Sequence, residues 1–356
     1  MTSAGTAPPP AVQTVTGRVA ADALGVVLPH EHLFNDLSAV LDAPAYGFSE
    51  RLPEREVSAA SAWALRQDPY CCPDNLAAKS VDELLPELAL FQEVGGSTLV
   101  DATSSGAIGR DPLALRDAAR RSGLNIVMGC GAYLEKFEGE RISAATIDAL
   151  ARALGAELTD GVGETGVRPG VIGEIGVSPD FTAAEAASLR AAALAQLDSA
   201  QVPLLIHLPG WQRRGHEVLD IVLDEIGVPP DRVVLGHMDP SGADHRYQDS
   251  LADRGVWLEF DMVGMEVAFP HEGAAPSAEQ TADAVARHLA RGRGAQLLLS
   301  HDVFLKQMWT RHGGNGFVFV PTVFAELLRT RGAERETVAR LMRQNPARML
   351  TGQTPD

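Results

Sequence analysis

The chain is poor in cysteine, short of positive charge and without a long apolar run, and each shortage excludes something. Cys71 and Cys72 are adjacent and Cys130 stands alone. That is neither a disulfide framework nor a paired-cysteine metal motif, and it points to a reducing cytoplasm. Lys and Arg total 30 against 47 Asp and Glu, a net charge of −17. Nucleic-acid backbones and anionic membrane surfaces are therefore poor partners, and a small-molecule substrate is the expected one. An anionic substrate stays open, because a bound metal reverses the sign locally. No apolar run is long enough to span a membrane. The start, MTSAGTAPPPAVQ, lacks the basic residues and apolar centre of a signal peptide. Its three prolines read as a disordered or extended tail over residues 1–11, with a single domain over 12–356. No linker and no short repeat divides that domain.

What is present is alternation. Short Val-, Ile- and Leu-rich runs such as STLVDATSS, PGVIGEIGV, VPLLIHLPG and QLLLSHDVF alternate with segments of helical period. SVDE and TAAE have the spacing of capping boxes, and QEVGG, RSGL and EIGV that of glycine-terminated helices. Continuously apolar strands belong to a parallel sheet covered on both faces. Eight strand–helix units predict an α/β fold, a (β/α)8 TIM barrel. The alternative, a doubly wound open sheet, is weakened because no GxGxxG follows the first strand. The first connection, Ser38 to Ser80, is long enough to be a lid or a packing cover.

Polar residues gather where these strands end. In VVLPHEHLF, residues two apart share a face, so His30 and His32 point one way and Glu31 the other. The fourth strand ends at Glu174, the fifth at His207, the sixth at His237, the eighth at His301 and Asp302. Barrel enzymes keep their chemistry at these ends. Burying so many polar groups unpaired is costly, and metal coordination removes the cost. The set suits two divalent ions bridged by a carboxylate, and imidazole accepts Zn, Ni, Fe or Co.

The sequence resembles the phosphotriesterase-like group of the amidohydrolase superfamily. The likeness rests on VQTVTGRVAADALGVVLPHEHLF, on the order His, His, bridging residue, His, His, Asp, and on NPARML near the end. Many members bridge their metals with a carboxylated lysine. Here Glu174 stands at that place, and IGEIG, LEFDMVGME and HGGNGF resemble the glutamate-bridged, phosphotriesterase-related branch. The resemblance implies that His30, His32 and Asp302 hold the more buried ion and His207 and His237 the more exposed one. It implies that Glu174 and a hydroxide bridge them, and that Asp302 accepts the proton. It implies two divalent ions per chain, zinc first and Mn, Co, Ni or Fe as alternatives, and a homodimer. The expected reaction is hydrolysis of a lactone, carboxylic ester or amide, with an anionic group on the substrate allowed. A phosphotriesterase, a one-metal deaminase-like enzyme and a barrel that binds without catalysis are the alternatives.

The remaining candidates are weaker. Trp211, Asp261, Lys306, Trp309 and Arg311 are candidate substrate contacts, with packing or a solvated loop as the plainer reading of each. Glu259 shares a strand face with Asp261, and one of the two is expected to touch substrate or to lie on a solvated rim. Asp239 either orients the site or caps a helix, and His301 either supports a ligand from behind or is structural. His216, His245, His271, His288 and His312 read as surface positions, and Cys130 as strand packing.

Overall fold

A computed structural model describes residues 10–199 and 202–352. Most of the expected tail lies outside them; Ala11 already pairs with Ala20 in an antiparallel hairpin, Ala11–Thr14 with Gly17–Ala20.

The barrel strands are β1 (Val26–Glu31), β2 (Gly96–Asp101), β3 (Asn125–Cys130), β4 (Val171–Gly176), β5 (Leu204–His207), β6 (Val233–Leu235), β7 (Trp257–Phe260) and β8 (Leu297–Leu299). All eight are parallel and follow one another in chain order across the sheet. Hydrogen bonds beyond the strand ends close the seam between β8 and β1. The Asp302 N–H donates to His30 O at 3.2 Å, and the His32 N–H to Val303 O at 3.3 Å. The (β/α)8 expectation therefore holds.

Side chains divide into a filled lumen and an outer shell. Val27, Val100, Val127, Val171, Leu205, Val234, Trp257 and Leu298, one from each strand, form one cluster with Val12, Met349 and Leu350. The hairpin and the last helix thus plug one end. Leu28, Leu99, Ile126, Ile172, Ile206, Leu235, Leu258 and Leu299 belong to a second cluster with helix residues such as Leu84, Leu115 and Leu189. Burying each such side chain contributes about 1.5–3 kcal/mol relative to exposure.

The connecting helices start where the sequence says. Ser80 and Glu83 cap α1 (Val81–Glu93) reciprocally. Thr182 and Glu185 do the same for α4 (Ala183–Ser199), each backbone N–H 3.2 Å from the other's side chain. Between them lie α2 (Pro112–Ser122) and α3 (Ile147–Asp160). Gly95 and Gly123 take φ of 89° and 77° just past α1 and α2, which a side chain would resist.

The long first connection is a packed cover. Leu52, Val57, Leu65, Cys71 and Cys72 give it a small core of its own. It ties to other loops: the Ala268 N–H donates to Arg66 O at 2.7 Å, and the Gln307 N–H to the Asn75 side-chain Oδ1 at 2.9 Å. Among the described residues no helix is long and apolar enough to cross a membrane.

Candidate metal centre

Strand parity alone does not aim these ligands. Val27 faces the lumen and Leu28 the shell, so strict alternation would turn His30 outward. A register shift between Leu28 and Glu31 reverses this. A second shift, between Ile172 and Ile175, does the same for Glu174. His237 and Asp302 take left-handed backbone, φ 57° and 55°. Non-glycine residues seldom accept that conformation, and it concentrates at functional sites. His207 follows from plain alternation, two residues past the lumen residue Leu205.

The result is a cluster around one carboxylate. Glu174 Oε2 lies 3.4 Å from His30 Nε2, 3.0 Å from His207 Nδ1 and 3.7 Å from His237 Nε2. Its Oε1 lies 3.3 Å from His32 Nε2, which is also 3.3 Å from Asp302 Oδ1. Two triads share Glu174: His30 with His32, and His207 with His237. The His30 Nε2 is buried with no hydrogen-bond partner. His207 Nδ1 meets Glu174, His237 Nε2 and the Tyr133 hydroxyl at 3.0, 2.8 and 3.4 Å, more acceptors and donors than one nitrogen can serve. An orphan imidazole nitrogen, a crowded one and a shared carboxylate fit a pair of divalent cations.

The far side of three of the four rings is fixed. His30 Nδ1 meets Glu259 Oε2 at 2.9 Å, His32 Nδ1 the Thr103 hydroxyl at 2.9 Å, and His237 Nδ1 Asp261 Oδ1 at 2.8 Å. Such contacts set which nitrogen faces the centre. Carboxylates of neighbouring strands also clip the backbone beside His32, at His237 and on both sides of Asp302. Asp101 accepts the Leu33 N–H at 2.8 Å, Asp261 the His237 N–H at 2.9 Å, and Glu31 the N–H groups of His301 and Val303 at 3.0 and 2.8 Å.

Charge balance without a cation falls on the imidazoles. Burial opposes ionisation of Glu174, yet His207 and the other rings hold its carboxyl well below the usual range. Burial disfavours a charged His32, but Asp302 and Glu174 outweigh it and raise the ring to about 9. For His30 and His237 burial is likewise overcome, chiefly by Asp261. His207 is lowered by burial despite Glu174.

A cavity of about 490 Å³ opens on this cluster. Its walls carry Tyr70, Tyr133, Phe137, Trp211, Phe269 and Phe304. Phe269 packs against Tyr70 and Trp211 with ring centroids 5.8 Å apart in each case. Gly273, at φ 155°, lets backbone pass against Trp211: a Cβ there would lie 2.3 Å from the indole nitrogen. Among the described lining residues Lys136 is the one Lys or Arg, beside Glu135, Asp180, Glu185 and Glu272.

Trp211 is therefore on the cavity wall, but the other weak candidates are elsewhere. Asp261 is fully buried beneath His30 and His237, orienting rings and not facing the cavity. Lys306 points into the cover, 2.8 Å from Asp74 and 3.3 Å from Glu83. Trp309 is 1% exposed, and the Arg311 guanidinium lies over its ring at 4.6 Å; neither lines the cavity. These three residues point away because Asp74, Glu83 and Glu87 draw their loop onto the cover and α1. Asp239 accepts from Met262 N–H and the Thr281 hydroxyl, bracing the loop after β7. His288 is buried, not a surface residue, and meets Gln248 at 3.0 Å. His301 is structural, held between Glu31 and the Val320 N–H. Sequence reasoning passed over Tyr133 and Thr103. Both follow apolar strands by two or three residues, the same signal that marked the histidines.

Comparison with known proteins agrees with this geometry. The model of the phosphotriesterase family matches residues 10–350. A phosphotriesterase-related protein of Nematostella vectensis is 32% identical over 345 residues, covering 95% of this chain and 98% of that protein. The N-acetyltaurine hydrolase of Danio rerio is 31% identical, covering 96% and 97%. The crystal structure of a resiniferatoxin-binding protein from Rhodobacter sphaeroides superposes with a TM-score of 0.93 at 41% identity, covering 97% and 96%. With ligand order, fold and whole-chain similarity in agreement, this chain belongs to the phosphotriesterase family and is a hydrolase of the amidohydrolase type.

Proposed function

We propose that the chain is a two-metal hydrolase that cleaves a carbonyl bond, in an amide, ester or lactone, of a substrate whose bulk is apolar and uncharged. The observation that carries it is Glu174 set between four imidazoles, at the base of a cavity walled by aromatic side chains. His30, His32 and Asp302 would hold one ion, His207 and His237 the other, and Glu174 both. Divalent ions so held supply activated water and a Lewis acid for the carbonyl oxygen.

The chain's own side chains do the rest. Asp302, 3.3 Å from His32 Nε2, would take a proton and return it to the leaving group. The Tyr133 hydroxyl, 3.4 Å from His207 Nδ1, is placed to donate to a substrate oxygen on that side. Trp211, Phe269 and Tyr70 orient the apolar part and keep water from it.

An anionic substrate finds little support, because carboxylates outnumber the single cation on the walls and Lys306 and Arg311 face elsewhere. The Danio rerio relative is named for hydrolysing N-acetyltaurine, which supports an amide among the carbonyl substrates. The same reading takes zinc as the ion, a homodimer as the assembly and the cytoplasm as the location, the last in keeping with three free, buried cysteines.

The test compares metal-loaded enzyme on an aromatic N-acyl amide, an aromatic ester, an alkyl lactone, N-acetyltaurine and a phosphotriester. An apolar carbonyl substrate should give the highest kcat/KM. A phosphotriester that outperforms every carbonyl compound would overturn the reaction class, and N-acetyltaurine in first place would overturn the preference for uncharged substrates.

A further inference from the structure

Glu259 is a buried acid to which hydrolysis gives no task. It lies on β7 two residues before Asp261, so both carboxylates face the lumen beneath the metal ligands. Its Oε2 lies 2.9 Å from His30 Nδ1, while its Oε1 is buried with no donor at all. Across the same imidazole, His30 Nε2 is buried without a partner and faces Glu174 at 3.4 Å. Two idle polar atoms thus bracket one ring.

Burying a carboxylate with an unserved oxygen is expensive unless positive charge lies close by. A carboxylate on one imidazole nitrogen makes the other a stronger donor to a cation, and the cation in turn strengthens the hydrogen bond behind it. The four histidines differ in this respect. His32 is backed by a neutral hydroxyl, and His207 turns its Nδ1 itself toward Glu174. His237 is backed by Asp261, whose oxygens also accept the His237 backbone N–H. Asp261 approaches His30 Nδ1 only at 3.3 Å, so Glu259, at 2.9 Å, is the nearer acceptor for that ring.

We propose that Glu259 is a positioning residue for His30 whose charge strengthens cation binding at the His30–His32 half of the centre and not at the His207–His237 half. This rests on the two-metal reading above. Cobalt(II) is the probe, titrated into metal-free protein against a competing chelator, with absorption bands and bound cobalt per chain as readouts. Glu259→Gln keeps size and an acceptor but loses the charge; Glu259→Asp keeps the charge but draws it back from the ring. Each should weaken one of the two ions by about 10–100-fold and leave the other within about threefold. The metal-free melting temperature should not fall in Glu259→Gln, which shows that the fold is not the cause. Unchanged affinity for both ions in both variants, or an equal loss at both, would overturn the assignment. Wild-type protein that never takes a second cobalt would instead overturn the two-metal reading, and this assignment with it.

Discussion

Glu31 stands between the two histidines of VVLPHEHLF and turns away from them. Its carboxylate accepts from the Ser300 hydroxyl, the His301 N–H and ring, and the Val303 N–H, at 2.8 to 3.0 Å. It therefore closes the barrel seam and fixes the backbone on either side of Asp302. Glu31→Gln would set an amide N–H against groups that are themselves donors. A buried group left unsatisfied costs about 1–3 kcal/mol. The expected outcome is a lower midpoint in urea together with a fall in kcat that exceeds any change in KM, because Asp302 is displaced. Wild-type stability and kcat in this variant would show that the clip is dispensable. The same residues show what a sequence can and cannot announce. A histidine or acid after an apolar run is visible, and so is the shared face of Glu259 and Asp261. Depth is not visible: alternation names a face but not whether a side chain lies below the site or in the cavity. Nor are the register shifts that turn His30 and Glu174 inward, because they arise from pairing with the neighbouring strand.

Among elements, the helices were the most legible, since Ser80–Glu83 and Thr182–Glu185 write their capping geometry into four consecutive residues. The N-terminal hairpin was missed because its two strands are only four residues each and carry no long apolar run. The cover between β1 and α1 was legible as a long insertion but not as a wall anchored by lysines. Lys79 donates to Phe304 O at 2.6 Å and to Asn35, and both acceptor residues line the cavity. Burial pushes this ammonium down from 10.5 to about 7, against the pull of Asp101. Below that value Lys79 is charged both folded and unfolded, and its burial penalty is fully present. As pH rises toward 10.5 the unfolded chain binds the extra proton, so stability gains. Wild-type protein should therefore gain stability relative to Lys79→Met between about pH 7 and pH 10. Parallel pH profiles of urea midpoints for the two proteins would contradict this.

At the scale of the molecule, the proposed ions tie together five of the eight strand ends: β1, β4, β5, β6 and β8. Binding only the folded chain stabilises it by about 2.7 kcal/mol at a free ion concentration one hundred times Kd. Chelation should lower the melting temperature, and returning zinc or cobalt should restore it together with activity. The restoration should not need bicarbonate, because Glu174 already presents a carboxylate to both halves of the cluster. The whole chain contains three lysines, Lys79, Lys136 and Lys306. Lys79 is committed to Asn35 and Phe304, Lys306 to Asp74 and Glu83, and Lys136 lies exposed over Phe137. None of these amines meets a ligand of the cluster, so no lysine stands where a carboxylated side chain could bridge the ions. Metal-free protein reloaded in bicarbonate-free buffer should recover the same rate and the same bound metal as protein reloaded with bicarbonate. A severalfold dependence on bicarbonate would mean that the bridge is not Glu174 and that one of these lysines leaves the partners that hold it here.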